Sequence, residues 1–114
     1  MAKETYVYHI ISEEDWNKSS LLGFYSPTSL KEEGFIHFSY AKQIPGVVQR
    51  FYQNIERLLI LKIDTRKLNA KLFDDYVEGV DMFPHLYGEL NLDAVAGSYS
   101  LKMNEDNQVF WIEE

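Results

Sequence analysis

The chain of 114 residues is the size of one domain, and its 46% hydrophobic and 15% aromatic content supplies a core and excludes a disordered chain. A formal charge of −7, from 18 acids against 11 bases, disfavours duplex nucleic acid as a partner, because such binding depends on Lys and Arg neutralising phosphates across a broad face. With no Cys there is no disulfide, thiolate nucleophile or Cys-ligated zinc. The start Met1-Ala2-Lys3-Glu4 has no signal-like apolar region and no run approaches membrane-spanning length, so a cytoplasmic protein with no membrane attachment is the expectation.

Thr5 to Ile11 combines β-branched and aromatic residues and predicts a largely buried strand with His9 near its end. Ser12-Glu13-Glu14-Asp15 reads as a helix start, since the serine oxygen can accept an early amide and the acids complement the helix dipole. Trp16 and Leu21-Leu22 are expected to bury one side of that helix, and Gly23 to end it. Thr28 or Ser29 opens a second short helical turn through Leu30-Lys31-Glu32-Glu33, stopped by Gly34. Phe35-Ile36-His37-Phe38-Ser39 then reads as a strand. Alternation puts Ile36 and Phe38 on the core face and His37 with Ser39 on a second face that can line a cleft. The plain alternative is a half-buried His37 satisfied by a backbone carbonyl.

Tyr40 to Asn54 carries the clearest helical pattern, with Ile44, Val47, Val48, Phe51, Tyr52 and Ile55 recurring at three- and four-residue spacing. Pro45 fits its first turn, where an amide has no intrahelical acceptor. Arg50 lies off the apolar stripe, as a solvated cation or as a partner for a phosphate or carboxylate. Leu58 to Ile63 is an almost unbroken apolar run and predicts a central strand. A turn over Asp64 to Leu68 and a strand over Lys71 to Val77 follow. Leu90 to Val95 is expected to form a short helix, and Ser98 to Met103 with Gln108 to Ile112 a hairpin about Asn104-Glu105-Asp106-Asn107. Short strands with one good helix predict a single α+β domain over residues 1–114 with a mixed or antiparallel sheet.

Phe83-Pro84-His85-Leu86-Tyr87-Gly88 has no regular periodicity and reads as a shaped loop, in which Pro84 restricts its neighbour and Gly88 permits a left-handed or closely approached backbone. His85 can donate, accept or titrate near neutral pH, and Tyr87 offers a flat face and a hydroxyl. The plain alternative is a tight connection whose aromatics cap the core. The three histidines, His9, His37 and His85, lack the close His pair that grips zinc from one helix, so no metal site is assigned. Ser39 beside His37 has no nucleophile elbow around it. Imidazoles, hydroxyls, aromatic faces and Arg50 together suit a pocket for a polar, ring-bearing small molecule.

Tyr8-His9-Ile10, Glu33-Gly34-Phe35-Ile36-His37-Phe38-Ser39, Pro45-Gly46-Val47 with Arg50-Phe51, and Phe83-Pro84-His85-Leu86-Tyr87-Gly88, in that order, resemble the bacterial domain of unknown function 952 family (DUF952) over nearly the whole chain. The resemblance implies a fold similar to the ADP-ribosyltransferases, with a split sheet that cradles NAD as a substrate. It puts His9 on the NAD ribose, and Phe38 and Ser39 with His37 at a second strand. The carboxylate that such chemistry uses to stabilise an oxocarbenium-like state is either Glu78 or Glu89. In the enzyme reading His9, His37, His85 and Glu78 are the catalytic set, while Ser39, Arg50, Phe51, Phe83, Tyr87 and Gly88 bind the ligand. In the alternative, the same cleft holds a nucleotide or other small molecule without turnover. The expected assembly is a monomer or weak homodimer.

Overall fold

The computed structural model describes residues 5–51, 57–77, 79–103 and 108–113. Glu78, the helical extension expected through Asn54, and the turn Asn104-Glu105-Asp106-Asn107 lie outside these residues, as does the side chain of Phe51. In chain order the elements are β1 (Tyr6–Ser12), α1 (Glu13–Leu22), β2 (Phe24–Tyr25), α2 (Thr28–Glu33), β3 (Ile36–His37), α3 (Ile44–Phe51), β4 (Leu58–Asp64), β5 (Lys71–Val77), β6 (Asp81–Tyr87), β7 (Leu90–Asn91), β8 (Val95–Met103) and β9 (Val109–Glu113). They make an α+β fold with a four-stranded sheet in the order β1-β4-β8-β9, a three-stranded sheet β3-β6-β5 and the pair β2-β7. Every pairing among the described strands is antiparallel, the second of the two arrangements expected from the sequence.

The apolar run of β4 lacks alternation because both of its faces are covered. Leu59, Leu61 and Ile63 join Val7 and Ile11 of β1 against Ile36, Phe38 and Leu86 from the small sheet. Leu58 and Ile60 meet Ile44 and Val48 of α3 on the other side. Burying each such side chain contributes on the order of 2 kcal/mol, so β4 anchors two cores at once. A turn of 3₁₀ helix at Ala41–Gln43 leads into α3, and Pro45 occupies its first turn as its fixed φ and missing N–H allow.

The ends of α1 follow its local chemistry. Ser12 Oγ accepts the Asp15 amide at 3.1 Å, and Gly23, at φ 88°, donates its N–H to the Ser19 carbonyl. The expected apolar face is only partly right. Trp16 packs on the core and Ser19 is buried, but Leu21 is 90% and Leu22 67% exposed. At about 100° per residue, Leu21 points roughly 200° away from the inward Ser19. The helix expected over Leu90 to Val95 is shorter than the pattern suggested, with β7 followed by a 3₁₀ turn at Leu92–Ala94.

The largest departure is at residues 83–88, of which 83–87 form most of β6, the central strand of the small sheet, and Gly88 follows its end. Pro84 is tolerated there because of what it faces. Its carbonyl accepts from Phe38 N at 2.9 Å, so its missing N–H forgoes a single bond on the β3 side, just past the last named pair His37↔His85. The departing segment then crosses to the large sheet, where Tyr8 and Ser39 exchange backbone bonds of 2.8 and 2.7 Å. The stretch Ile36 to Ser39 thus belongs to both sheets.

Gly88 closes the open end of the β5–β6 hairpin, and a Cβ there would stand 2.7 Å from the Cβ of Ala70. Because Ala70 Cβ is fixed to the backbone, Gly88→Ala forces the hairpin ends apart at a cost of about 1–3 kcal/mol. Urea unfolding of Gly88→Ala is expected to show this loss, and adding Ala70→Gly to restore much of it. Equal stability of the two variants would sink this account.

Candidate functional site

Strand alternation sorts the small sheet into two faces. Ile36, Leu86 and Leu72 pair across its three strands and point to the core, while His37, His85 and Phe73 pair across the opposite, outer face. Asp75 and Tyr87 lie two residues on along the same face of β5 and β6, and Phe35 reaches it from the link between α2 and β3. The outer face thereby brings His37, His85, Phe73, Asp75 and Tyr87 together with Phe35.

His85 is the centre of this cluster and is only 3% exposed. Its Nδ1 lies 3.0 Å from Asp75 Oδ2, and the same carboxylate oxygen accepts the Tyr87 hydroxyl. Those bonds have electrostatic consequences. The Tyr87 hydroxyl, followed by the His85 N–H, holds the Asp75 carboxyl below its ordinary pKa. The Tyr87 phenol is pushed up because its proton is shared with that carboxylate, and burial pushes the His85 imidazolium pKa down. At neutral pH His85 is therefore a neutral imidazole whose Nδ1–H donates to Asp75, which leaves the lone pair on Nε2. Nε2 is buried and has no hydrogen-bond partner among the described residues. Such an orphan costs about 1–3 kcal/mol.

Aromatic rings enclose it. Phe35 stacks on His85 with centroids 4.1 Å apart and planes 13° from parallel. His37 meets His85 edge to face at 5.0 Å, and its Nε2 lies 3.2 Å from Glu33 Oε1, with both side chains half exposed. Phe73 packs on Tyr87 at 5.7 Å. Carboxylate, oriented imidazole, unpaired nitrogen and aromatic walls together can accept a proton or hydrogen bond from a small ring-bearing molecule.

His37, His85 and Tyr87 are thus brought together, with Phe83 on the same face opposite Asp75, while the other residues singled out from the sequence lie elsewhere. His9 sits in the middle of β1, opposite Leu61, and not near the strand end. It is buried, with Nδ1–H donating to the His37 carbonyl at 2.7 Å and Nε2 accepting from the Tyr25 hydroxyl at 3.0 Å. Ser39 does not share a cleft face with His37, because β3 ends at His37 and Ser39 is buried in the bridge to Tyr8. Arg50 and Phe83 line a separate groove of about 260 Å³ with Lys42, Gln43, Gly46, Val80 and Asp81. Glu89 borders another, on the β2–β7 side. Gly88 acts through its contact with Ala70. No group of three or more metal-binding side chains is gathered among the described residues, and no helix among them is long and apolar enough to cross a membrane.

The sequence reading missed Asp75, Phe35, Phe73 and Glu33. Pairing Lys71 to Val77 with an extended 83–88 segment would have set Asp75 one pair from His85 on the shared face.

Fold and site together define a small α+β domain of antiparallel sheets with a carboxylate-oriented histidine beneath aromatic rings. The chain belongs to the family described as protein of unknown function (DUF952), whose profile matches residues 10–98 and so spans the whole cluster. It is similar to protein CC0527 from Caulobacter crescentus, whose crystal structure superposes with a TM-score of 0.80 at 26% identity over 93% of this chain and 94% of that one. The solution NMR structure of CC0527 gives a TM-score of 0.77 at 26% identity, covering 91% and 90%. No curated protein matches the chain.

The buried His9 makes a pH prediction. Its pKa is lowered from 6.5 to about 4, mainly by burial. Above pH 6.5 it is neutral whether folded or unfolded, but between pH 6.5 and 4 only the unfolded chain takes up the proton. This removes about 3 kcal/mol of stability as pH falls through that window. His9→Gln can make both hydrogen bonds without titrating, so its unfolding free energy should fall less steeply over the same range. Parallel pH profiles for the two proteins would refute the assignment.

Proposed function

We propose that the outer face of the β3–β6–β5 sheet binds a small ring-bearing molecule, of nucleotide type, that carries an N–H or O–H donor. The observation that carries this reading is His85 Nε2, a buried acceptor without a partner on a ring fixed through Nδ1 by Asp75. A ligand donor supplies the missing bond, and Phe73, Tyr87 and His37 offer faces for its ring. Arg50 and Phe83 extend the same reading. Phe83, His85 and Tyr87 alternate onto one face of β6, so the groove holding Arg50 and Lys42 lies on the ligand's side of the sheet and suits a phosphate.

A second reading, turnover of NAD by ADP-ribosyltransferase-like chemistry, is favoured by the Asp75–His85 pair. A neutral imidazole oriented by a carboxylate is a general base suited to deprotonating an acceptor hydroxyl. His9, with both ring nitrogens engaged inside the core, adds no support to a role on the ribose, and the carboxylate for the oxocarbenium-like state is left to Glu78 or Glu89.

Titration with NAD, AMP and nicotinamide, followed by NMR with nicotinamide release read in the same sample, separates the two. Binding is expected to move the resonances of His37, His85 and Tyr87, and His85→Phe to weaken it at least tenfold, about 1.4 kcal/mol. Release of nicotinamide would assign the transferase or glycohydrolase activity, and shifts without release a binding module. If none of the three ligands moves these resonances, the nucleotide reading fails.

A further inference from the structure

We propose that Phe35 stands in the place where the ligand's ring binds, and that rotation of its side chain is what admits a planar ring-bearing donor to His85. The inference rests on the small-molecule reading of this site. Its own support is geometric. Nε2 of His85 is sealed as well as unpartnered, so a ligand reaches it only when one of the surrounding rings moves. Tyr87 is tied through its hydroxyl to Asp75, and His37 through Nε2 to Glu33. Phe35 has no polar tie, yet it makes the closest contact, stacked at 4.1 Å.

The backbone allows that motion. α2 is closed by Gly34, in the left-handed region at φ 88° with its N–H on the Leu30 carbonyl, and the ladder with β6 begins only at Ile36↔Leu86. Phe35 is the single residue between these fixed points. Its side chain is half-buried and lies at the edge of the cluster, so it can turn outward about χ1 without breaking a ladder bond. The space that its ring now fills is flat on one side against His85 and edged by His37 and Tyr87, whose rings lie 4.9 and 5.4 Å from that of Phe35. That shape selects a planar ring, and the uncovered Nε2 selects a ligand that carries an N–H or O–H donor. A non-planar ring of similar size fits neither requirement.

Diethyl pyrocarbonate, which acylates accessible unprotonated imidazoles, reads this without a ligand when the sites are located by peptide mass spectrometry at pH 7. In the unmodified chain, exposed His37 should react quickly and buried His9 and His85 slowly. Phe35→Ala should raise the rate at His85 at least tenfold while His9 stays protected, and the variant should bind adenine or nicotinamide at least fivefold more tightly. If His85 stays as protected as His9, Phe35 is not the gate. Should Phe35→Ala also expose His9, the variant has unfolded and Phe35→Leu, which keeps apolar bulk but cannot stack, decides by the same rates. Exposure of His85 without binding of either ring by any variant would leave Phe35 as the cover but overturn its replacement by a ligand ring. Ligand binding to the unmodified chain with unchanged labelling in Phe35→Leu would overturn the gate and leave the binding reading intact.

Discussion

The segment Ile36 to Ser39 is a strand of two sheets in succession, and the bond from His9 Nδ1–H to the His37 carbonyl fixes the point where it changes from one to the other. On one side of that carbonyl the chain pairs with β6, and on the other with β1. A backbone carbonyl at such a crossing is buried between layers and needs a donor from outside either ladder. His9 supplies it from the interior of β1, and the Tyr25 hydroxyl in turn satisfies the second ring nitrogen. This chain of bonds links β1, β2 and β3. Through β3 it sets the position of the whole small sheet relative to the four-stranded one.

The candidate site inherits its geometry from that crossing. Because Ile36 and Leu86 are held against β4, the outer face of the small sheet is turned away from the core, and the residues on it pack on each other. On that face Phe35 stacks on His85 and His37 meets it edge to face, so His85 is buried although it points away from the main core. The carboxylate of Asp75 stays ionised because two donors converge on it, and its charge fixes which imidazole nitrogen carries the proton. Burial of His9 and burial of His85 thus have different consequences. One histidine spends both nitrogens on structure, and the other leaves Nε2 without a partner among the described residues.

Much of the fold was legible where a local rule and the tertiary context agree. Ser12 and Gly23 bound α1 as their capping chemistry dictates, β5 falls on Lys71–Val77, and the apolar run at Leu58 marks the strand buried on both faces. Residues 83–88 misled because Pro84 and Gly88 are loop signals whose local preferences are overridden here. One forgoes a single bond at the end of the β3 pairing while its carbonyl still accepts from Phe38, and the other is required by Ala70 across the hairpin. Reading that stretch as a loop removed the strand register, and without it nothing in the sequence links Asp75 to His85 across ten positions. The bland possibility weighed for His37, a histidine satisfied by a carbonyl, describes His9, with His37 supplying the carbonyl. His37, His85 and Tyr87 were singled out by their residue types alone, and the motifs of the family resemblance contain the same three. Asp75 stands outside those motifs.

Pro84 also protects the pairing of β3, which is held to β6 by only two residue pairs. A ladder so short is prone to slide, since the bonds lost in one alignment are easily replaced in the next. Sliding β3 toward the Asp81 end of β6 would ask Pro84 for an amide hydrogen it does not have. A residue that looks like a strand breaker thus sets a limit on how many bonds any β3 alignment across Pro84 can make.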